Sequence, residues 1–186
     1  MNNQYSEVFI RRALELNQDD VVQELSEALI VCRGAARDIA EDVYKRQGSG
    51  KTYLACALGK EACLNHVRVR YVRLPDLLME YGDSTVVAGN QRKLLERYSR
   101  IPLLILDEWL VSDISDAELH FLFELMERRS DTTSTIFCTQ YRKDDWVKRL
   151  GEGVRAEAIV DRYAYTAFWI ETGSTNMREY CAKHKM

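Results

Sequence analysis

Apolar and polar residues alternate along this chain with two different periods. Four runs show the apolar content or the two-residue alternation of β-strands, and the segments between them repeat their apolar residues at helical spacing. Strands that alternate with helices predict an α/β fold, in which a mainly parallel sheet is covered by helices on both faces. The predicted strands are VRVRYVRL, PLLILDE, STIFCTQ and TAFWIE, and the predicted helices are GKTYLACALGKEACLNH, PDLLMEY, NQRKLLERYSR, DAELHFLFELMERR, DDWVKRL, RAEAIVDRYAY and NMREYCAKH.

The first part of the chain does not follow this alternation. Residues 7–31 carry apolar residues at roughly helical spacing, which predicts a helical N-terminal segment. The next stretch, CRGAARDIAEDVYKRQ, is polar and charged and has no clear period. No strand is therefore expected directly before Gly48. The apolar candidate for such a strand is ALIVC, residues 28–32, which ends far from Gly48 along the chain.

Composition limits the classes of protein that fit. A chain of 186 residues with 46% hydrophobic content can bury one core. It has no apolar run of about eighteen residues and no apolar signal sequence, so we expect a cytoplasmic protein without a membrane partner. The five cysteines form no C-x-x-C pair, which favours reduced thiols, and Cys56 and Cys63 are expected to be small core residues of one helix. The net charge of −3 means that DNA would have to bind local basic patches.

GSGKT, residues 48–52, opens the first helix after the polar stretch. Backbone N–H groups of a glycine-rich turn at a helix N-terminus bind phosphate oxygens, since unpaired donors and the helix dipole both favour anions. Lys51 would contact the β- and γ-phosphates of a nucleotide, and the Thr52 hydroxyl can ligate Mg²⁺. The motif therefore predicts a nucleotide site formed by Gly48, Ser49, Gly50, Lys51 and Thr52. The alternative is an ordinary helix N-terminus.

LLILDEW, residues 103–109, places two carboxylates at the end of an apolar strand. In an open parallel sheet, ligands bind at the carboxyl ends of the strands. Asp107 would hold the water shell of Mg²⁺, and Glu108 could orient and deprotonate an attacking water. The alternative is a strand end with two solvated acids.

STIFCTQY is a second apolar strand that ends in polar residues, Thr139 and Gln140. If this strand lies beside the strand of Asp107, one of these side chains would point at the γ-phosphate. We choose Gln140, because a neutral amide can both sense that phosphate and align water. A plain polar residue at a strand end is the alternative.

From Gly48 to about Cys181 the chain resembles the IstB-like AAA+ ATPases, which are ATP-binding helper proteins of insertion-sequence transposition and relatives of bacterial helicase loaders. The segments that carry this resemblance are GSGKTYLACALG, VRYVRLPDLL, LLILDEW, TIFCTQY with DDWVKRLG, and AIVDR with ETGSTNMRE. The resemblance implies a three-layer P-loop NTPase fold of the AAA+ type that binds ATP and Mg²⁺. It also implies that Arg162 is similar to an arginine finger acting on a neighbouring subunit, and that Arg178 is similar to a phosphate-sensing arginine. A surface ion pair is the alternative for each arginine.

The function that this resemblance implies is ATP hydrolysis in support of DNA transposition, with DNA, a transposase and further copies of the chain as partners. A helicase loader is the alternative within the class, and a non-catalytic AAA+ fragment is the alternative outside it. Two groups of basic residues could contact DNA, although a solvated surface explains them almost as well. They are Arg68, Arg70 and Arg73 on one predicted strand, and Arg92, Lys93, Arg97 and Arg100 on and after one predicted helix.

The chain departs from the family at the front of the loop. The phosphate-binding loop has the form G-x-x-x-x-G-K-[ST], and here Lys45 occupies the position of the first glycine. Residues 42–47, DVYKRQ, match the translation of a transposase mosaic end that is used as a sequencing adapter, so we interpret them as an assembly scar. The chain then divides into 1–41, a helical segment that is not native to the protein, 42–47, and the AAA+ core at 48–186. The scar predicts that the strand before the loop is lacking or distorted.

Overall fold

The computed structural model describes residues 39–42, 50–164 and 167–170. Its strands are β1 (Ile39–Asp42), β2 (Val69–Arg73), β3 (Leu103–Trp109), β4 (Ser134–Thr139) and β5 (Phe168–Trp169). Its helices are α1 (Lys51–Leu64), α2 (Leu74–Ser84), α3 (Asn90–Ser99), α4 (Asp116–Arg129), α5 (Lys143–Arg149) and α6 (Val154–Tyr163). The strands and helices predicted within these ranges are confirmed. The predicted helical segment at 7–31 and the closing helix NMREYCAKH lie outside the described residues.

The five strands form one sheet in the order β2-β3-β4-β1-β5, and every pairing in it is parallel. Helices follow the strands along the chain and cover both faces, as the alternation of apolar periods predicts. β4 lies between β1 and β3, so the strand before α1 and the strand of Asp107 are one strand apart. None of the helices in the described ranges is long and apolar enough to cross a membrane.

The expectation that the strand before the loop is missing is wrong. Ile39–Asp42 pairs with β4 on one side, where Ile39 is opposite Ile136, and with β5 on the other, where Ile39 is opposite Phe168. A central strand is held by backbone hydrogen bonds to two neighbours, and these bonds do not require apolar side chains. The sequence IAED is too short and too polar to show a strand period, and the candidate ALIVC, residues 28–32, lies outside the described residues.

Helix α1 packs on one face of the sheet. Its inward face meets alternate residues of β3, Leu103 and Ile105, while Leu104 and Leu106 point into the larger core on the other face. The approach is close at Gly59, where an added Cβ would lie 2.8 Å from Ile105 Cδ1. This close packing sets the position of the start of α1 relative to the end of β3.

The cysteines of α1 do not belong to its inward face. The buried residues of this helix are Ala55, Leu58, Gly59 and Ala62. Cys56 and Cys63 are exposed, so the expectation that they are core residues is wrong. A spacing of seven residues places two side chains on one face of a helix, but it does not indicate which face is buried.

Candidate functional site

The described ends of three strands meet at one edge of the sheet. In the register, Thr139 at the end of β4 is opposite both Asp42 of β1 and Trp109 of β3. The chain enters α1 at the same edge through Gly50, whose φ of 94° lies in the left-handed region that favours glycine. Lys51 and Thr52 are the first two helical residues. The predicted residues Gly48 and Ser49 lie outside the described residues.

Asp107 joins β3 to α1. The Thr52 hydroxyl donates to Asp107 Oδ2 at 2.9 Å, across fifty-five residues of sequence. The backbone N–H of Glu108 donates to the other carboxylate oxygen, Oδ1, at 2.8 Å. Asp107 is 7% exposed, so this carboxylate depends on protein donors rather than on bulk water. Thr52 and Asp107, the two residues that the sequence assigns to Mg²⁺, are therefore in direct contact.

Sequence reasoning missed a third donor to Asp107. The hydroxyl of Tyr71, on β2, donates to Asp107 Oδ2 at 2.6 Å, so this oxygen accepts from both Tyr71 and Thr52. Burial raises the pKa of Tyr71, and the hydrogen bond to Asp107 raises it further. The alternation of VRYVR predicts that Tyr71 and the buried Val72 point to opposite faces of the strand. It does not place Tyr71 beside Asp107, because that contact depends on which strand pairs with β2.

Glu108 is held by a residue that the sequence analysis considered only for DNA contact. Arg73, at the end of β2, donates to Glu108 Oε2 at 2.7 Å. Glu108 has a φ of 55°, in the left-handed region that residues with a Cβ rarely adopt. The two side chains are about half-exposed, so the ion pair can exchange with water. The hydrogen bond that Arg73 donates to Glu108 raises the pKa of the Arg73 guanidinium, which remains charged.

The segment after β3 is fixed from two other elements. Leu110 also has a positive φ, 60°, and its carbonyl accepts two hydrogen bonds from Arg149, at the end of α5, at 2.7 and 3.0 Å. Arg149 donates a third bond to the carbonyl of Val111. The Thr139 hydroxyl donates to the Trp109 carbonyl at 3.1 Å. These contacts hold a strained backbone in place, which is common beside functional sites.

The structure distinguishes between the two polar residues at the end of β4. The buried Thr139 hydroxyl is occupied by the Trp109 carbonyl and by the N–H of Tyr141 at 3.1 Å, so it supports the loops. Gln140 follows β4 at the same edge of the sheet and is half-buried. β4 does lie beside β3, which was the condition for assigning Gln140 to the γ-phosphate.

The structure describes only one of the two arginines, Arg162 and Arg178, that the family resemblance singles out. Arg162, near the end of α6, forms a bidentate ion pair with Glu127 of α4, with one N–O distance of 2.9 Å. This pair lies within the chain and is the ion-pair alternative already named for Arg162. Arg178 lies outside the described residues.

The basic helix that was considered for DNA contact is partly neutralised. Arg92 pairs with Glu96 one turn later, and Arg97 pairs with Glu80 of α2. Lys93 and Arg100 are exposed, and no ion pair is recorded for either among the described residues. The positive charge available to DNA on this helix is therefore smaller than the sequence indicates.

The donor set fits Mg²⁺. Thr52 and Asp107 present a hydroxyl and a carboxylate oxygen to each other, and Mg²⁺ prefers oxygen ligands. It usually keeps several waters and is bound through one or two carboxylates together with substrate phosphates. Among the described residues there is no cluster of three or more His, Cys, Asp or Glu side chains that could hold a metal alone. A cation at this site would therefore bind together with a phosphate ligand.

This arrangement defines the class of protein. The strand that leads into α1 is separated from β3 by one strand, and Thr52 at the start of α1 still reaches Asp107. Such an arrangement is that of a P-loop NTPase of the AAA+ type. The family model described as IstB-like ATP binding protein matches residues 43–185. The chain belongs to this family.

Known relatives support the same assignment. A putative insertion sequence ATP-binding protein of Sinorhizobium fredii, y4uH, is 34% identical over 131 residues, which cover 70% of this chain and 52% of the relative. The replicative helicase loader DnaC of Escherichia coli is 29% identical over 111 residues, which cover 59% of this chain and 45% of the loader. The chain thus spans about half the length of the curated relatives it matches.

The fold is shared with a solved replication protein. The structure of AMPPCP-bound DnaA from Aquifex aeolicus superposes with a TM-score of 0.67 at 21% identity, covering 89% of this chain and 49% of that one. This similarity supports the AAA+ fold.

Proposed function

We propose that this chain binds ATP with Mg²⁺ and hydrolyses it as a helper protein of DNA transposition, acting with a transposase on DNA. The observation that carries the nucleotide site is the 2.9 Å contact between Thr52 and Asp107. It brings the start of a glycine-entered helix to a buried carboxylate at the end of β3. Membership of the IstB-like ATP-binding family supports ATP as the ligand.

The proposed roles follow from the positions of the residues. Lys51 and the N–H groups at the start of α1 bind the phosphates, with Gly48, Ser49 and Gly50 forming the turn before them. Thr52 and Asp107 would hold Mg²⁺, which would neutralise phosphate charge when it is bound. Glu108 would orient and deprotonate the attacking water. Gln140 would contact the γ-phosphate from the end of β4. Arg178 would also contact a phosphate of the nucleotide.

Nucleotide titration tests this function directly. In a calorimeter, the chain should bind ATP saturably, and binding should be tighter with Mg²⁺ than in EDTA. Phosphate release should be measurable under the same conditions. Absence of both heat and phosphate release would support the alternative of a non-catalytic AAA+ fragment.

The partner is proposed from the relatives. y4uH is an insertion sequence ATP-binding protein, and it covers more of this chain at higher identity than the helicase loader does. We therefore favour a transposase over a replicative helicase. Purified transposase from a neighbouring gene should form a complex with the chain in the presence of ATP and DNA. A complex with a replicative helicase instead would favour the loader.

DNA contact is proposed for the exposed cations Lys93 and Arg100. Both lie on or next to α3, and a pair of lysine or arginine contacts to phosphates should give salt-dependent binding. Arg92 and Arg97 contribute less, since each is already paired with a glutamate.

Arg162 tests the proposal of self-association. An arginine finger acts across a subunit interface, so Arg162→Ala should lower ATPase activity in a concentrated, assembled sample and not in a dilute monomer. Its partner Glu127 provides the control, because Glu127→Gln breaks the same ion pair without removing the arginine. ATPase rates and melting temperatures are measured at both concentrations. Equal effects of the two variants at both concentrations would assign Arg162 to a structural ion pair.

We further propose that residues 42–47 are an assembly scar, that 1–41 are foreign to the protein and that 48–186 are its AAA+ core. The family model matches residues 43–185, so its match begins within the proposed scar and not at residue 48. β1 (Ile39–Asp42) lies across the boundary between the first two segments and completes the sheet, so the repair changes only the loop. Replacing Lys45, Arg46 and Gln47 with Gly, Pro and Thr should tighten ATP binding about tenfold, which corresponds to roughly one added hydrogen bond to a charged group.

The control for this repair is Lys45→Ala, which shortens the side chain without giving the backbone the freedom of glycine. Calorimetry compares the three proteins. Equal affinity of the repaired and original chains would contradict the scar proposal, as would an uninterrupted genomic locus that encodes residues 42–47.

A further inference from the structure

Asp107 Oδ2 accepts two hydrogen bonds from side chains on different elements. One comes from Thr52, which the proposed site uses for Mg²⁺. The other comes from Tyr71 and is the shorter of the two, at 2.6 Å. Oδ1 is bonded to the backbone N–H of Glu108. Three donors therefore fix the plane of this carboxylate, and Tyr71 is the one with no role in the proposed nucleotide chemistry.

The fold delivers Tyr71 to this place through strand pairing. β2 pairs with β3 in a register that puts Tyr71 opposite Ile105. Ile105 and Asp107 are two residues apart on β3, so their side chains leave the same face of the sheet. Ile105 packs against α1 on that face, which is where Thr52 is located. Tyr71 therefore leaves β2 on the same face of the sheet as Asp107, while the residues on either side of it in β2 point to the other face.

We propose that Tyr71 is a positioning residue for the metal site: its hydroxyl holds the Asp107 carboxylate in the orientation that meets Thr52 and Mg²⁺. This inference rests on the proposed function, since it concerns the same site. Partners that orient a metal-binding carboxylate raise metal affinity, and their removal typically lowers it about 10–100-fold. Without the hydroxyl, Asp107 can rotate in the free protein, and the cation must then order it.

The Tyr71 hydroxyl is suited to this task, because a phenol is a neutral donor and makes a 2.6 Å hydrogen bond to Asp107 Oδ2. A phenol on a β-strand also loses less freedom on binding than a lysine or arginine side chain would. The geometry thus supplies a fixed neutral donor where a mobile cation would compete with Mg²⁺ for the carboxylate.

The test is Tyr71→Phe, which keeps the ring and removes only the hydroxyl. A non-hydrolysable ATP analogue is titrated in EDTA, and MgCl₂ is then titrated into the complex at fixed analogue concentration. We expect the affinity in EDTA to be unchanged and the MgCl₂ concentration at half-saturation to rise about tenfold. High MgCl₂ should restore full binding of the complex.

Tyr98→Phe is the matched control. Tyr98 is buried, whereas Tyr71 is 39% exposed, and it likewise donates to a carboxylate, Glu80 Oε2, at 2.8 Å, but it lies on α3 away from Asp107. Loss of this bond should lower the melting temperature without changing the MgCl₂ midpoint. A change of midpoint in Tyr71→Phe alone therefore separates positioning from a general loss of stability.

The outcomes are distinct. An unchanged or lower MgCl₂ midpoint in Tyr71→Phe, with normal binding by the unsubstituted chain, overturns the role of Tyr71 and leaves the proposed function intact. Equal shifts in Tyr71→Phe and Tyr98→Phe overturn it as well, because a site-specific effect would then be absent. If the unsubstituted chain does not bind the analogue at all, the proposed function and this inference fail together.

Discussion

Lys51→Ala is expected to abolish ATP binding in the measurable range. Lys51 is the first residue of α1, directly after the left-handed Gly50, so its ammonium group lies at the helix end that favours phosphate. Truncation of one member of a desolvated charge pair usually costs about 2–5 kcal/mol, which is a loss of about 30-fold or more in affinity. Calorimetric titration with ATP and Mg²⁺ measures this loss.

Lys60→Ala is the control for this experiment. Lys60 is an exposed lysine on the same helix, more than two turns from the phosphate end. Its replacement by alanine changes the charge and the helix propensity by the same amount as Lys51→Ala does. It should leave affinity within about twofold of the original, since an exposed charge at this distance is largely screened. Equal losses in both variants, or no loss in Lys51→Ala, would remove the assignment of the phosphate-binding loop.

Glu108→Gln should retain ATP binding and lose turnover. The substitution keeps the shape of the side chain and removes its ability to accept a proton, and general-base catalysis typically contributes about 10²–10⁴-fold. Phosphate release should therefore fall at least about a hundredfold while the dissociation constant for ATP stays the same. Glu157→Gln, on the exposed first turn of α6, should leave both quantities unchanged.

A companion substitution checks that Glu108 acts through its carboxylate. Arg73 holds Glu108 in an exposed ion pair that water and salt screen. Arg73→Ala should therefore raise turnover only severalfold in the original chain, because the carboxylate is released from a weak contact. In the Glu108→Gln background it should have no effect. If it raises turnover equally in both backgrounds, Arg73 acts elsewhere and Glu108 is not the residue that it restrains.

Local periodicity was sufficient to find most of the fold. The apolar run of β3 and the helical spacing of α4 depend only on neighbouring residues, and DAELHFLFELMERR coincides with α4 from its first residue to its last. The N-terminus of that helix is fixed by a capping box between Ser115 and Glu118, which is also local. β1 was missed because its four residues are stabilised by partners about a hundred residues away and not by their own pattern.

The residues of the candidate site also fall into two groups: those that short sequence patterns identify, and those whose contacts depend on tertiary packing. Lys51, Thr52, Asp107 and Glu108 were found because each stands at the end of a strand or at the start of a helix, where its chemistry can be recognised from short sequence patterns. Gln140 was chosen on the condition that β4 lies beside β3, which the structure fulfils. Thr139 could not be separated from Gln140 by sequence, because its hydroxyl partners, Trp109 and Tyr141, are set by the packing of two loops.

The sequence by itself therefore determined the class of fold, the glycine-led start of α1 and the acidic end of β3, since these follow from periodicity and from short motifs. The tertiary structure alone decided that IAED is an interior strand of the sheet, that Tyr71 and Arg73 hold the two acidic residues, and that Arg149 fixes the strained loop after them. The physical reason is that strand order and register bring together side chains from distant segments. Hydrogen bonds between such side chains need donor–acceptor distances that are set to within a few tenths of an ångström, which no local pattern encodes.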